Sequence, residues 1–289
     1  MVSFNQLEAL VKIVEEKSFT RAAEALHLTQ PGISHTISSL ESELGITLFN
    51  RNKKSIELTE AGEAILPNAR EVLQQIESIK QTSAEFLGMK KGTIKLGGFP
   101  SIMANYVPAL ISSFQKKYPN IKFSLYEGSY EKVTEMIEKG IIDLGFTVAP
   151  VPHLSFTHIL TDLMVAVLPA EHELAQQSSV TMEEISNERF IKDLGCERYL
   201  KDLELNDSAN IDFAVSDLNI ILSLIQEGLG LTILPEMSVS RLHYHVKTVN
   251  LHPPVPREIG ICFNRKKNLP SISKVFLEYV KEFFIEKTS

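Results

Sequence analysis

The 289-residue sequence has only two cysteines and no long apolar run, and each of these features excludes a class of protein. Cys196 and Cys262 lie far apart, so neither a disulfide framework nor a four-cysteine zinc site is available. No stretch approaches the roughly 20 consecutive apolar residues of a membrane helix, and no basic segment followed by an apolar one opens the chain. We therefore expect a cytoplasmic protein that has no membrane partner.

An excess of positive charge is also missing, because 29 Lys and Arg face 36 Asp and Glu and give a net charge of −7. Sequence-independent affinity for nucleic acid comes from many cations that release counterions, so such affinity is excluded as a general property of this chain. Any contact with nucleic acid must therefore be local. The apolar content of 44% is that of an ordinary globular protein, and the length fits about two domains.

The residue usage changes near Gly92. The preceding part contains no Asp and is predicted to form short helices followed by a long one. From Thr93 onward, short β-branched runs alternate with helical patterns, which predicts βαβ units and a parallel sheet. Two such units of similar size flank a stretch with Pro150 and Pro152. The predicted fold class is therefore α/β overall, with an all-α N-terminal domain.

Three short amphipathic helices are predicted before Gly45. Ser18 is a suitable N-cap for the second helix, and Thr29 for the third, which carries Pro31 in its first turn. Apolar residues at helical spacing are expected to face the core: Phe4, Leu7, Leu10, Val11 and Val14 on the first helix, and Ile33, Ile37, Leu40 and Leu44 on the third.

The opposite side of the third helix carries Gln30, Ser34 and His35 near its N-terminus, without a carboxylate. A short helix, a tight turn and such a third helix form the layout with which helix-turn-helix proteins contact base edges. The segments 46–49 and 55–58 are predicted to pair as a hairpin whose tip holds three cations suited to phosphate contacts: Arg51, Lys53 and Lys54. A plain interaction module with a solvated polar face is the alternative.

Six sequence blocks resemble the winged helix-turn-helix of LysR-type transcriptional regulators, in order and spacing: Phe4-Asn5-Gln6-Leu7, Ser18-Phe19-Thr20-Arg21-Ala22-Ala23-Glu24-Ala25-Leu26, Leu28-Thr29-Gln30-Pro31-Gly32-Ile33-Ser34, Leu40-Glu41-Ser42-Glu43-Leu44-Gly45, Leu48-Phe49-Asn50-Arg51 and Leu58-Thr59-Glu60-Ala61-Gly62. The remainder resembles the effector-binding region of that family. The resemblance implies that Gln30, Pro31 and Ser34 lie next to the bases and that Arg51 supports the contact of the wing with phosphate. The full set that we expect to contact DNA is Thr20, Arg21, Thr29, Gln30, Pro31, Ser34, His35, Arg51, Lys53 and Lys54. His35 departs from the Arg or Lys that the family often has there.

A long helix is predicted from Thr59. Steps of four and three alternate along it and pass through Ser83, and the apolar residues at these steps are Ile65, Ala69, Val72, Ile76, Ile79 and Phe86. We call these six residues the linker seam. This spacing is typical of a helix that pairs with a partner helix, and a self-paired helix gives a two-fold dimer with two recognition helices. Packing of the seam on the chain's own effector domain is the alternative. The resemblance implies a homodimer, or a homotetramer built from two dimers.

The resemblance also divides the chain into residues 1–58 for DNA binding, 59–91 for the linker and 92–289 for effector binding. The last part is expected to resemble a periplasmic binding protein, with lobe I at 92–161 and 266–289, lobe II at 162–265, and crossings near Thr161 and near 263–265. Ligands in such folds bind beyond the carboxyl ends of strands. Nine residues are therefore expected to bind an effector, for which the hydroxyls favour a small carboxylate: Phe99, Pro100, Ser101, Ile102, Ser129, Thr147, Val148, Gly195 and Cys196.

No catalytic motif is found. Gly228-Leu229-Gly230 lacks the third glycine of a dinucleotide-binding loop, and His243-Tyr244-His245 lacks a third metal ligand nearby. We therefore expect no enzyme, no metal and no cofactor. The predicted function is a transcription factor that regulates promoters in response to a small molecule bound between two lobes, with promoter DNA, further copies of the chain and RNA polymerase as partners. A metabolite-binding or scaffold protein whose N-terminal helices serve only dimerisation, and a thiol enzyme using Cys196, are the alternatives.

Overall fold

A computed structural model describes residues 1–50, 56–86, 91–195, 210–240 and 244–288. The N-terminal domain has three helices, α1 (Phe4–Glu16), α2 (Phe19–Ala25) and α3 (Gln30–Leu44), and the long helix α4 (Glu60–Phe86) follows. Within the described ranges, no helix combines the length and the apolar composition needed to span a bilayer.

The ends of the short helices follow from the residues predicted to cap them. The Ser18 hydroxyl accepts a hydrogen bond from the Arg21 N–H at 3.2 Å, and the Thr29 hydroxyl accepts one from the Gly32 N–H at 3.2 Å. Gly45 ends α3 in the left-handed conformation, with φ of 71°. These side-chain caps satisfy N–H groups that have no partner within the first turn of a helix.

The core of the N-terminal domain combines apolar faces of all four helices with Leu48 and Phe49. Ile33, Ile37 and Leu40 are buried in it, as their spacing predicts. On α1, Leu10 and Val11 are buried as predicted, but Phe4 is 36% exposed, and Ala9 and Ile13 are also buried in the core. The predicted stripe on α1 is therefore rotated toward Ala9 and Ile13, because α1 must contact both α3 and α4.

The C-terminal part contains nine named strands: β1 (Gly92–Gly98), β2 (Ile121–Glu127), β3 (Leu144–Val148), β4 (Ser155–Pro169), β5 (Ser179–Val180), β6 (Arg189–Asp193), β7 (Asn210–Val215), β8 (Thr232–Pro235) and β9 (Val246–Phe263) among the described residues. Its helices are α5 (Pro100–Asn105), α6 (Val107–Lys117), α7 (Tyr130–Glu138), α8 (Met182–Ser186), α9 (Leu218–Gln226), α10 (Glu236–Val239) and α11 (Ser271–Thr288). The segment between β1 and β2 forms two helices that meet at Tyr106, with Pro108 in the first turn of the second.

Lobe I is built on parallel strands. β1 lies between β2 and β3 and pairs in parallel with both, and β3 pairs antiparallel with the end of β9. The apolar face of the sheet packs against α5, α6 and α11 around Phe114, Phe146 and Phe276. This arrangement places the starts of α5 and α7 at the carboxyl ends of β1 and β2, which is the edge where ligands bind in open α/β sheets.

Lobe II contains β6, β7, β8 and the remaining halves of β4 and β9. β6 and β7 are parallel, and Leu231 joins β6 through backbone hydrogen bonds with Arg189 and Ile191. Two apolar clusters cover the two faces of this sheet. Alternation of β and α segments therefore gives a second α/β unit, as the sequence pattern predicts.

The two long strands β4 and β9 connect the lobes. They pair antiparallel along nearly their whole lengths, with register irregularities after His158 and Met164. The first crossing lies close to the expected position at Thr161. The second crossing lies before Ile259, because Ile259–Cys262 already pair with β3 in lobe I. The second crossing thus lies nearer Arg257 than the expected 263–265, because residues 246–263 form one continuous strand shared by both lobes.

Candidate functional site

The exposed start of α3 is the first candidate site. Gln30 and His35 are exposed and Ser34 is half-buried, and we call these three residues the reading face. The Gln30 amide nitrogen lies 3.3 Å from the Ser34 hydroxyl, so these two side chains, one helical turn apart, are in contact. Because the opposite side of α3 is buried in the core, the reading face is held outward on a fixed helix.

Residues next to the reading face support it. Pro31 is exposed in the first turn of α3, and the Thr29 hydroxyl is occupied as its N-cap. On α2, Thr20 and Arg21 are both exposed. The Arg21 guanidinium donates a hydrogen bond to the Glu16 carbonyl at the end of α1. Arg21 is thus positioned by the C-terminal end of α1.

A short hairpin follows α3, as predicted. Phe49 and Leu58 form an antiparallel bridge, and the Asn50 N–H donates to the Glu57 carbonyl at 2.9 Å. Its predicted tip residues, Arg51, Lys53 and Lys54, lie outside the described residues. The bridge nevertheless fixes both ends of the segment that carries them.

Glu41 holds the base of this hairpin, which the sequence analysis did not predict. Its carboxylate is buried and accepts hydrogen bonds from the N–H groups of Leu48 at 2.7 Å and Phe49 at 3.3 Å. Bonds between a carboxylate and backbone N–H groups are among the stronger hydrogen bonds in proteins. The sequence held one signal of this role: Glu41 follows the buried Leu40 and lies on the core side of α3.

The linker seam divides into two parts. Ala69 is 1% exposed and packs, with partly buried Ile65, in the core of the N-terminal domain of the same chain. Val72 is 44% exposed and Ile79 is 68% exposed. Ile76 is half-buried, and Phe86 is the last residue of α4. The outward apolar positions of this helix are therefore Val72 and Ile79, while Ala69 is already used within the chain.

The expected effector residues also divide by accessibility. Phe99, Ile102, Thr147 and Val148 are at most 2% exposed inside lobe I. Ser101 is half-buried, and Pro100, Ser129 and Gly195 are exposed, whereas Cys196 lies outside the described residues. Of the nine expected residues, the described ones that reach the surface come from the starts of α5 and α7 and from the end of β6.

A buried ion pair lies between the lobes. Arg257 on β9 is directly opposite Asp162 on β4, and the two side chains form a salt bridge. Arg257 is 1% exposed, and Asp162 is 8% exposed. Burial alone would lower the pKa of Arg257, but Tyr130 and Asp162 together raise it above its ordinary value, so the guanidinium remains charged.

This ion pair contacts both lobes. The Arg257 Nη1 donates to the Tyr130 hydroxyl at 2.5 Å, and its Nη2 lies 3.5 Å from the Ser101 hydroxyl. On the lobe II side, Asp162 accepts a hydrogen bond from the Met237 N–H at 3.2 Å. We call Arg257, Asp162, Tyr130 and Ser101 the hinge cluster. It lies where the strands cross between the lobes and reaches the start of both α5 and α7.

The sequence analysis missed Arg257, Asp162 and Tyr130. A charged residue at the border of an apolar strand was the signal, because Asp162 precedes an apolar run in β4 and Arg257 precedes one in β9. Their pairing depends on the register of two strands about 95 residues apart, which periodicity does not determine.

The described residues show no cluster of three or more His, Cys, Asp and Glu that is arranged to hold a metal ion. Cys262 is buried in lobe I, and burial raises the pKa of its thiol to about 12. This thiol is therefore neutral at ordinary pH and is a poor nucleophile.

Two family models match the chain. Residues 4–63 match the model described as a bacterial regulatory helix-turn-helix protein of the lysR family, and residues 88–285 match the LysR substrate binding domain. The uncharacterised HTH-type transcriptional regulator YvbU of Bacillus subtilis is 38% identical over 289 residues, which cover 98% of this chain and 99% of that protein. The transcriptional dual regulator GltC of the same organism is 31% identical and covers 98% of each chain.

A solved structure shares the fold. A full-length OxyR variant from Pseudomonas aeruginosa has a TM-score of 0.76 and 23% identity, and the match covers 97% of this chain and 95% of that one. The similarity therefore extends over the N-terminal domain, the long helix and both lobes, which confirms the predicted fold class.

Proposed function

The chain belongs to the LysR family of transcription regulators, with a helix-turn-helix for DNA and an effector-binding domain, and we propose that the reading face enters the major groove of promoter DNA. The exposed start of α3 carries this proposal. Gln30 and Ser34 are neutral donors and acceptors that suit base edges. Their helix is fixed by a buried apolar side, so the side chains are presented without reorganisation.

A substitution at Gln30 tests base readout. Selection from random duplexes with the wild-type protein supplies a preferred site, and fluorescence anisotropy then measures affinity for that site and for a scrambled duplex. We expect Gln30→Ala to weaken binding to the preferred site by about 1–3 kcal/mol and to leave the scrambled duplex unchanged. Ser42→Ala, an exposed change in the last turn of the same helix, is the matched control and should change neither. Equal losses on both duplexes for Gln30→Ala would refute base readout.

We further propose that each part of the chain has the function expected from the sequence: residues 1–58 bind DNA, 59–91 pair the chains and 92–289 bind the effector. The proposed DNA-contacting set also includes Thr20, Arg21, Pro31, His35 and the hairpin-tip cations. The exposure of the first four residues supports it. The protein would act in the cytoplasm, where promoter DNA and RNA polymerase are its partners.

The proposed effector is a small carboxylate bound between the lobes. Support comes from the hydroxyls of Ser101 and Ser129 at the starts of α5 and α7. A thermal-shift screen of small carboxylates and their uncharged analogues tests this, because a ligand that binds only the folded state stabilises it by RT ln(1 + [L]/Kd) and so raises the melting temperature. A true effector must also change DNA affinity. Stabilisation only by uncharged compounds would contradict the proposed chemistry.

A further inference from the structure

A cavity lies at the junction of three parts of the chain, and its lining includes no residue from the starts of α5 and α7. It has a volume of about 380 Å³ and is lined by α1 of the N-terminal domain, by α4 and by lobe I. We call it the junction cavity. Its volume falls within the range of small-molecule sites in proteins. Any occupant would touch the DNA-binding domain, the linker and the effector domain at once.

A buried cation lines this cavity. Arg70 on α4 is 9% exposed, and its Nε has no hydrogen-bond partner among the described residues. No ion pair joins its guanidinium to another described side chain. An unpaired buried charge is costly, and buried polar atoms in native proteins are nearly always satisfied. The guanidinium therefore lacks an anionic partner within the described part of the chain.

The acids around the cavity are already engaged or exposed. The Glu15 carboxylate pairs with Lys12 at 2.9 Å, and Glu77 pairs with Lys80 at 3.7 Å. The buried Asp143 accepts hydrogen bonds from the Lys95 N–H at 2.9 Å and from two further side chains, Gln74 and Ser273. Glu8 is half-exposed. None of these carboxylates forms a salt bridge with Arg70, although Glu15 lies close enough to act on its charge.

The rest of the wall is mixed: Gln74, Lys80, Thr93 and Lys95 are polar, and the other large side chains are apolar. Phe4 and Val11 come from α1, Leu73 and Ile76 from α4, and Ile141 from lobe I. A planar guanidinium binds a carboxylate through two parallel hydrogen bonds, and apolar walls favour a hydrocarbon body. We propose that the junction cavity binds a small organic carboxylate with an apolar body, held by Arg70, and that this ligand links the DNA-binding domain to lobe I.

Phenylacetate and its neutral analogue phenylacetamide are the probes. Hydrogen exchange measured by mass spectrometry on the full-length protein reports where each compound binds. We expect phenylacetate, and not phenylacetamide, to slow exchange in α1 (Phe4–Glu16) and in residues 140–143. Arg70→Gln should raise the apparent Kd of phenylacetate, measured from this protection, at least tenfold. Arg70→Lys, which keeps the charge but loses the paired hydrogen bonds, should retain part of it.

Lys116→Gln, which removes an exposed cation on α6, is the matched control and should leave the protection unchanged. Circular dichroism of each variant checks that the fold is retained. Three results would overturn the proposal: no protection of α1 by phenylacetate in the wild type, protection confined to residues 99–103 and 129–133 at the starts of α5 and α7, or protection at the junction cavity that persists in Arg70→Gln. Base readout by Gln30 is measured separately, so these results leave the proposed function standing.

Discussion

Gly62 lies in the first turn of α4, where the helix touches the backbone of the hairpin. A Cβ at this position would lie 2.3 Å from the Leu48 carbonyl oxygen and 2.9 Å from a Leu58 methyl group. The carbonyl is held by its hydrogen bond with the Thr59 N–H at 2.9 Å, so it cannot move without breaking the hairpin base. Gly62 is thus required by close approach of two backbones.

We expect Gly62→Ala to destabilise the N-terminal domain by about 1–3 kcal/mol, because overpacking displaces the α4 start from the hairpin. Native-state hydrogen exchange of the buried amides in α1 and α3 measures this change. Gly32→Ala is the matched control in the first turn of α3, where a Cβ would meet Thr29 Oγ1 at 3.1 Å. Alanine there gains up to about 1 kcal/mol of helix propensity. Equal destabilisation by both variants would exclude the backbone contact as the cause.

Helix α4 contributes to two interfaces at the scale of an element. One side, which includes Leu66 and Ala69, completes the core of the N-terminal domain. The outward side presents Val72 and Ile79. Two isolated apolar side chains are ordinary on a protein surface, but these two are seven residues apart, which is the repeat of paired helices. This spacing supports the proposed dimer.

Charged substitutions on the outward side of α4 test the proposed dimer. We expect the double variant Val72→Glu and Ile79→Glu to shift the protein to a monomer in sedimentation velocity and to weaken DNA binding, because two like charges would face each other across a two-fold axis. Ala64→Glu adds a charge at an exposed position on another side of the helix and should leave the assembly unchanged. An unchanged sedimentation coefficient in the double variant would contradict pairing through this face.

At the scale of the whole molecule, β4 and β9 connect the two lobes, and the hinge cluster lies where these strands cross. We expect Arg257→Met to destabilise the effector domain by about 3–5 kcal/mol, because it leaves the buried Asp162 carboxylate without its partner. Asp162→Asn keeps an oxygen for the Met237 N–H but removes the charge. Adding it to Arg257→Met should therefore recover part of the lost melting temperature in calorimetry. Additive losses in the double variant would show that the two charges are not coupled.

The sequence determined the features that depend on local chemistry. Caps at Ser18 and Thr29, the buried side of α3 and the alternation of strands and helices follow from side chains that act within one turn or one strand. The family blocks in the first 62 residues led from there to a regulator of the LysR family, which the matched models confirm.

Tertiary structure alone decided the contacts between distant segments. Arg257 meets Asp162 through strand register, Glu41 turns inward to hold the hairpin, and Arg70 lines a cavity between three parts of the chain. The position of the second crossing and the packing of Ala69 within its own domain also depend on contacts between distant segments. Periodicity shows which side of an element is apolar, but the partner of that side depends on how the whole chain packs.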